Sequence, residues 1–291
     1  MTKPAIHNWG RWGEDDQLGA LNLQSPESVL RALKLVPQGK IYNLAVPLES
    51  DGPQAPAFHK TWQTTYITTN ADPDAVQFVD DLVIMESHSG THLDALGHVW
   101  TDGVLWNGVD DGEAAHGRTL DWGGIDNVSA FFCRGVMLDI AKFKGVEHLG
   151  LGEVVTAEDM QACADAQGVE IQSGDVLLVR TGWRRVFDND YELWQRGGPG
   201  PDITCAAWLH EKDVMAVGAD NVAVEANVRG VPTPRSMRLH IAALRDMGIY
   251  LIELMDLDGL AADDVHEFLF VAAPLRLTKA TGSPWTPIAV V

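Results

Sequence analysis

Apolar and polar positions alternate in short runs along this chain, and helical spacing separates the runs more clearly in the second half than in the first. Ser25-Pro26-Glu27 reads as a helix start, with a Ser cap, Pro at the first helical position and an acid in the first turn; the helix runs to about Leu35. Lys40 to Glu49 reads as a strand, with Pro47 marking a sheet edge, and Asp51 to Pro56 as a loop. Asp81 to Glu86 carries the apolar run Leu82-Val83-Ile84-Met85 and reads as a strand. Trp100 to Asp126 is rich in Gly, Asp and Trp without a clear period, which predicts a long functional loop or insertion with some residues buried.

From there strands and helices alternate. Arg134 to Ile140, Asp175 to Arg180, Val214 to Val217, Ile249 to Met255 and Phe268 to Ala272 read as strands. Thr156 to Ala166 reads as a helix with Thr156 and Asp159 at capping-box spacing and Gly168 just past its end. Cys205 to Lys212 reads as a short helix, and Ser236 to Met247 as a helix closed by Gly248. This order predicts an α/β fold with a mixed sheet flanked by helices. No composition break marks a boundary, so residues 1–291 are expected to form a single compact domain.

Composition narrows the function classes. With 41 acidic and 21 basic residues the formal charge is −20, which argues against a nucleic-acid partner. No apolar stretch approaches the length of a membrane span, and the polar start of the chain has no signal-peptide pattern. Cys133, Cys163 and Cys205 are far apart and form no Cys-x-x-Cys pair, which fits a reducing, cytoplasmic setting and excludes a thiolate zinc site.

The candidate chemistry lies in Ser87-His88-Ser89-Gly90-Thr91-His92-Leu93-Asp94-Ala95-Leu96-Gly97-His98. Imidazole and carboxylate together form a ligand set for Zn, Mn, Fe or similar ions. His92 and Asp94 are two apart, so an extended backbone projects both to one face. Gly90 lets the chain turn so that His88 reaches the same point. Three such ligands leave a coordination position open, the catalytic arrangement, and His98 can stand beside the metal as a general acid/base.

A second signal is Glu253, in the run Ile249 to Met255 that looks buried on both faces, where a carboxylate is costly unless it is paired or binds a metal. His240 falls on the apolar face of the preceding helix. It lies roughly 12 Å of helix before Gly248 and Glu253 roughly 16 Å of strand after it, so both reach a similar height. Trp62, Trp106 and Trp285 are candidates for an aromatic substrate pocket.

These residues resemble the cyclase family of metal-dependent hydrolases, which includes kynurenine formamidases and isatin hydrolases. Its motif, His-x-Gly-Thr-His-x-Asp with a His four residues later, stands here as His88 to Asp94 and His98. A His in a helix and a Glu in the next strand match His240 and Glu253; softer similarities include Trp106-Asn107-Gly108, Arg180 to Trp183, Gly218-Ala219-Asp220 with Glu225, and Gly282-Ser283-Pro284. The resemblance implies a compact α/β fold, a homodimer or larger homo-oligomer, and hydrolysis of an amide, cyclic amide or related acyl bond in a small-molecule substrate. It implies His88, His92 and Asp94 as metal ligands and His98 as general acid/base. It leaves open Zn2+ or Mn2+ and one or two ions per chain, with the second at His240 and Glu253. Two other readings stand beside it: a non-haem Fe(II) oxygenase using a His/Asp/His facial triad, and a catalytically silent metal- or ligand-binding protein.

Overall fold

The structure is a computed structural model that describes residues 4–54, 61–68, 74, 76–115, 119–230 and 237–291. The strands that matter here are β1 (Ile41–Asn43), β2 (Thr61–Thr68), β3 (Phe78–Met85), β4 (His92–Asp94), β5 (Phe131–Asp139), β6 (Val176–Arg180), β7 (Ala216–Ala219), β8 (Tyr250–Glu253), β9 (Glu267–Ala272), β10 (Gly282–Pro284) and β11 (Ile288–Val290). All but β2 and β3 join one nine-stranded sheet in the order β1-β11-β9-β5-β6-β7-β8-β4-β10. β5, β6, β7 and β8 run parallel to one another. Their residues are almost continuously apolar and buried, as strands covered on both faces require. The outer strands pair antiparallel, so the sheet is mixed and the α/β expectation holds.

Helices α1 (Pro26–Ala32), α2 (Ala157–Gln167), α3 (Ala206–Lys212) and α4 (Arg238–His240) accompany the sheet. Capping explains where two of them begin. Ser25 and Ser28 form a reciprocal capping box at α1, and Thr156 and Asp159 form one at α2. Beyond α1 the chain tightens into a 3-10 turn over Leu33–Leu35. α4 continues directly as a π-helix over Ile241–Met247, closed at Gly248; the expected start at Ser236 lies outside the described residues. A π-helical segment is uncommon and recurs at functional sites, and here it begins immediately after His240.

Several expectations need correction. The strand expected from Lys40 to Glu49 is ordered as a ladder only over β1, because the Asn43 side chain captures the amide of Ala45 and Pro47 has no N–H to continue the pairing. The run Leu82 to Met85 belongs to β3, as expected, but among the described residues β3 pairs only with β2 in a separate two-stranded ribbon. Val79, Leu82, Val83 and Ile84 are consequently exposed on both ribbon faces. The segment from Trp100 to Asp126 buries part of itself, as expected. It contains short helical turns at Trp106–Gly108, Asp111–Ala114 and Ile125–Asn127, and it buries Leu105, Trp106 and Leu120; residues 116–118 lie outside the described part. Of the loop expected from Asp51 to Pro56, residues 55 and 56 likewise lie outside.

Among the described residues no helix is long and apolar enough to cross a membrane. Cys133, Cys163 and Cys205 are buried and free, and burial pushes the Cys205 thiol up to about 11.

Candidate functional site

β4 is the strand that organises the site. It lies between β8 and β10, with Glu253 and Pro284 opposite His92, and Leu251 and Gly282 opposite Asp94. His92 and Asp94 sit on one face of this short strand, and Glu253 joins them across the ladder. Gly90 takes φ +58° in the turn before β4, a left-handed conformation that an L side chain resists. A Cβ at Gly282 would strike the ring of His88, so glycine there leaves room for that imidazole beside β4.

Each histidine is held by a specific partner. His92 Nδ1 lies 2.8 Å from the carbonyl oxygen of Gly90, so Nδ1 carries the proton and the Nε2 lone pair faces Asp94 and Glu253 at 3.5 and 3.6 Å. His88 Nδ1 lies 2.8 Å from Asp94 Oδ1, and its Nε2 lies 3.0 Å from the Thr281 hydroxyl. His240 Nε2 lies 3.1 Å from Glu253 Oε1 and 3.9 Å from Asp94 Oδ2. His98 stacks on His88 with ring centroids 4.0 Å apart. The two motif regions, separated by about 150 residues of chain, therefore meet in one buried cluster.

Two sets of donor atoms emerge, His88/His92/Asp94 and Asp94/His240/Glu253, each with its ligand atoms within 4.8 Å of one another. Asp94 belongs to both. Its Oδ2 is buried with no hydrogen-bond partner among the described residues. A buried carboxylate oxygen is costly when unpartnered, so its orphan state fits a position that a cation completes. Mixed nitrogen and oxygen donors suit zinc and manganese alike.

Charge within the cluster is uneven. Burial opposes the Asp94 charge, yet His98, His88 and His92 around it hold its carboxyl well below the usual range. Burial is the largest influence on His88 and works against its charge, but the hydrogen bond to Asp94 and the charges of Asp94 and Glu253 together raise the imidazole. His92 is lowered chiefly by its complete burial. His98 is pushed down to about 4, again by burial, so at neutral pH it is an uncharged imidazole able to accept a proton. Despite burial, the carboxylates of Glu225 and Glu253 raise His240 to about 10.

Two of the tryptophan candidates pack into the interior. Trp106 is fully buried: it donates to the Asp16 carbonyl oxygen and packs where a side chain on Gly248 would go. Trp285 packs edge-on against Phe131 and Phe270 in the core. Both rings fill interior space, the more common fate of a large aromatic. Trp62 is on β2, whose side chains lie outside the described part of the structure.

Three residues around the cluster had no role in the sequence reading. Thr91 clamps the segment, accepting from the Val46 amide at 2.9 Å and donating to the Leu254 carbonyl oxygen at 2.5 Å. Thr281 holds His88. Glu225 faces His240 Nδ1 at 3.3 Å. Thr91 sits inside the motif and could have been suspected from that alone; Thr281 and Glu225 are linked to the histidines only through the fold.

Known proteins resemble this chain over most of its length. A family model described as putative cyclase matches residues 42–226. The isatin hydrolase of Roseibium aggregatum is 27% identical over 229 residues, covering 76% of this chain and 78% of that protein. Cyclase-like protein 2 of Arabidopsis thaliana is 28% identical over 205 residues, covering 68% of this chain and 60% of that protein. The crystal structure of a novel cyclase superposes with a TM-score of 0.90 at 33% identity, covering 98% of each chain. An isatin hydrolase bound to the product analogue thioisatinate shares the fold, with a TM-score of 0.65 at 22% identity over 92% of this chain and 99% of that chain. A family model that spans the His88 to His98 motif, together with a whole-chain structural match, leads to one conclusion: the chain belongs to the cyclase family.

Proposed function

We propose that this protein is a metal-dependent hydrolase that cleaves an amide, cyclic amide or related acyl bond of a small molecule. The observation that carries the reading is Asp94, a fully buried carboxylate shared by two donor sets and left with an unpartnered Oδ2. The likeness to isatin hydrolase supports the reaction class. His88, His92 and Asp94 would hold one divalent cation, and Asp94, His240 and Glu253 would hold a second. Bound there, the cation supplies Lewis acidity, polarising a carbonyl and bringing the pKa of water down toward about 7.

The chain's own residues supply the rest. The Gly90 carbonyl fixes the His92 tautomer and aims Nε2 inward. The Thr281 hydroxyl holds Nε2 of His88 and leaves Nδ1 turned toward Asp94 and the donor set. His98, neutral and stacked on His88, accepts a proton from the attacking water and delivers it to the leaving nitrogen. Its position beside the donor sets but outside both is the feature that separates a hydrolase from a binding protein.

The β2–β3 ribbon supports a homo-oligomer. A two-stranded ribbon is marginal on its own, and this one exposes Val79, Leu82, Val83 and Ile84 close to the motif.

The test is hydrolysis of isatin and of an aryl formamide by the metal-loaded protein, followed by a pH-stat and by the absorbance of the ring-opened or deformylated product. Turnover of either that is abolished by a chelator and restored by Zn2+ or Mn2+ supports the reading. Metal-independent turnover, or uptake of oxygen during turnover, contradicts it.

A further inference from the structure

Glu225 belongs to neither donor set, yet it is buried against a member of one. It is 3% exposed and His240 is 1% exposed. Its Oε2 accepts the backbone amide of Leu239 at 2.8 Å. Its Oε1 faces His240 Nδ1 at 3.3 Å, an ion-pair distance without hydrogen-bond alignment, and both of those atoms are buried with no hydrogen-bond partner among the described residues.

The backbone that delivers this carboxylate is strained. Ala223 and Val224, just before it, have φ values of +80° and +54°. A β-branched residue in the left-handed region is strained and persists only where its surroundings impose it. Here Asn221 imposes it: its buried side-chain amide donates to the Val224 carbonyl oxygen at 3.0 Å and also to that of Pro199. The clamp forces the turn that points Glu225 inward, at the base of α4.

We propose that Glu225 is a positioning residue that keeps a proton on His240 Nδ1, so that Nε2, which hydrogen-bonds Glu253 Oε1 at 3.1 Å, is the nitrogen that exchanges its proton for a cation between Glu253 and Asp94. This rests on the reading of Asp94, His240 and Glu253 as a second cation position. An ionised carboxylate only accepts, so Glu225 can serve the Leu239 amide with one oxygen and His240 Nδ1–H with the other. A glutamine of the same shape has one oxygen and one NH2 group. It must turn a donor toward either Leu239 or His240, and facing His240 it favours the tautomer with the proton on Nε2, which cannot bind a metal. An outer carboxylate that orients a ligating imidazole is worth about 10–100-fold in metal affinity.

The experiment uses the full chain loaded with Zn2+ and labelled with 15N-histidine, with the His240 signals assigned by their loss in His240→Gln. Nuclear magnetic resonance reads which ring nitrogen of His240 carries the proton in wild type and in Glu225→Gln, and calorimetric Zn2+ titration reads each site's affinity. The expected result is a proton on Nδ1 in wild type and its loss in Glu225→Gln. The weaker Zn2+ site then loses about 10–100-fold in affinity while the site at His88, His92 and Asp94 is unchanged. A wild-type proton on Nε2 alone overturns the proposal without any variant. An unaltered tautomer and affinity in a folded Glu225→Gln overturns it too, leaving Glu225 as an anchor for Leu239. A single Zn2+ per wild-type chain, with the tautomer still dependent on Glu225, overturns the second cation position and supports the positioning role.

Discussion

The Thr91 hydroxyl reaches across from the strand-entry turn and donates to the carbonyl oxygen of Leu254, 2.5 Å away. Leu254 follows Glu253 directly and takes a left-handed φ of +56°, which ends β8 at the point where Glu253 enters the cluster. One hydroxyl therefore ties the motif carrying His92 and Asp94 to the strand carrying Glu253, and it also satisfies the amide of Val46.

Thr91→Val removes both bonds and strands a buried donor and a buried acceptor. Each is worth about 1–3 kcal/mol, and together they should lower Tm by roughly 5–10 °C for a chain of this size. Thr91→Ser should recover most of the loss. Calorimetric scans of the two variants check this, and equal Tm values for Val and Ser would remove the clamp from the account.

His98→Ala should leave the cation content of the purified protein unchanged, because His98 is in neither donor set. Turnover should fall by about 10²–10⁴-fold, the usual contribution of a general acid/base. Full activity in that variant would transfer the proton relay to another group.

Asp220 predicts a pH dependence of stability. It is fully buried and accepts from the Thr181 amide, the Thr181 hydroxyl and the Gly182 amide, yet burial still pushes its carboxyl up to about 6. A carboxyl raised above its ordinary value of 3.8 stabilises the fold when protonated. That contribution is complete below about pH 4 and is lost as pH rises through about 6. The lost stability amounts to about 3 kcal/mol. Asp220→Asn does not titrate, so the stability gap between wild type and variant should shift by about that amount, in the variant's favour, between pH 4 and pH 7. Urea denaturation at both pH values measures it, and a constant gap would refute it.

The exposed ribbon predicts an assembly. Leu82→Glu combined with Ile84→Glu places two charges on one ribbon face. If that face is covered by a second copy, the molar mass by light scattering should fall to that of one 31.7 kDa chain while the circular dichroism is retained. A wild type that is already monomeric, or a variant of unchanged mass, would mean that the ribbon serves another purpose.

Much of this was legible in the chain itself, for definite reasons. His88, His92, Asp94 and His98 are neighbours in sequence, so a strand period of two and one glycine turn suffice to gather them. The parallel strands β5 to β8 could be read because they are apolar on both faces, and α2 because its capping box is complete. His210-Glu211 and His266-Glu267 both read as surface helix residues. The first pair is helical, but Glu267 opens β9, because its segment pairs with β5 across the sheet. β10 and β11 are three residues each, and β10 is Gly-Ser-Pro, which no strand propensity would mark; pairing with β4 makes it a strand. Glu225 was beyond reach as a partner of His240, because the link depends on the strained turn at Ala223 and Val224 and on its clamp by Asn221.

The central claim is that His88, His92 and Asp94 hold a catalytic divalent cation, and elemental analysis of the purified wild type beside His92→Ala tests it most directly. The account predicts about one or two divalent ions per chain in wild type and loss of metal together with activity in the variant. No metal in wild type, after purification and after re-addition of Zn2+ and Mn2+, would mean that the histidine cluster is a structural network and that the proposed chemistry is wrong.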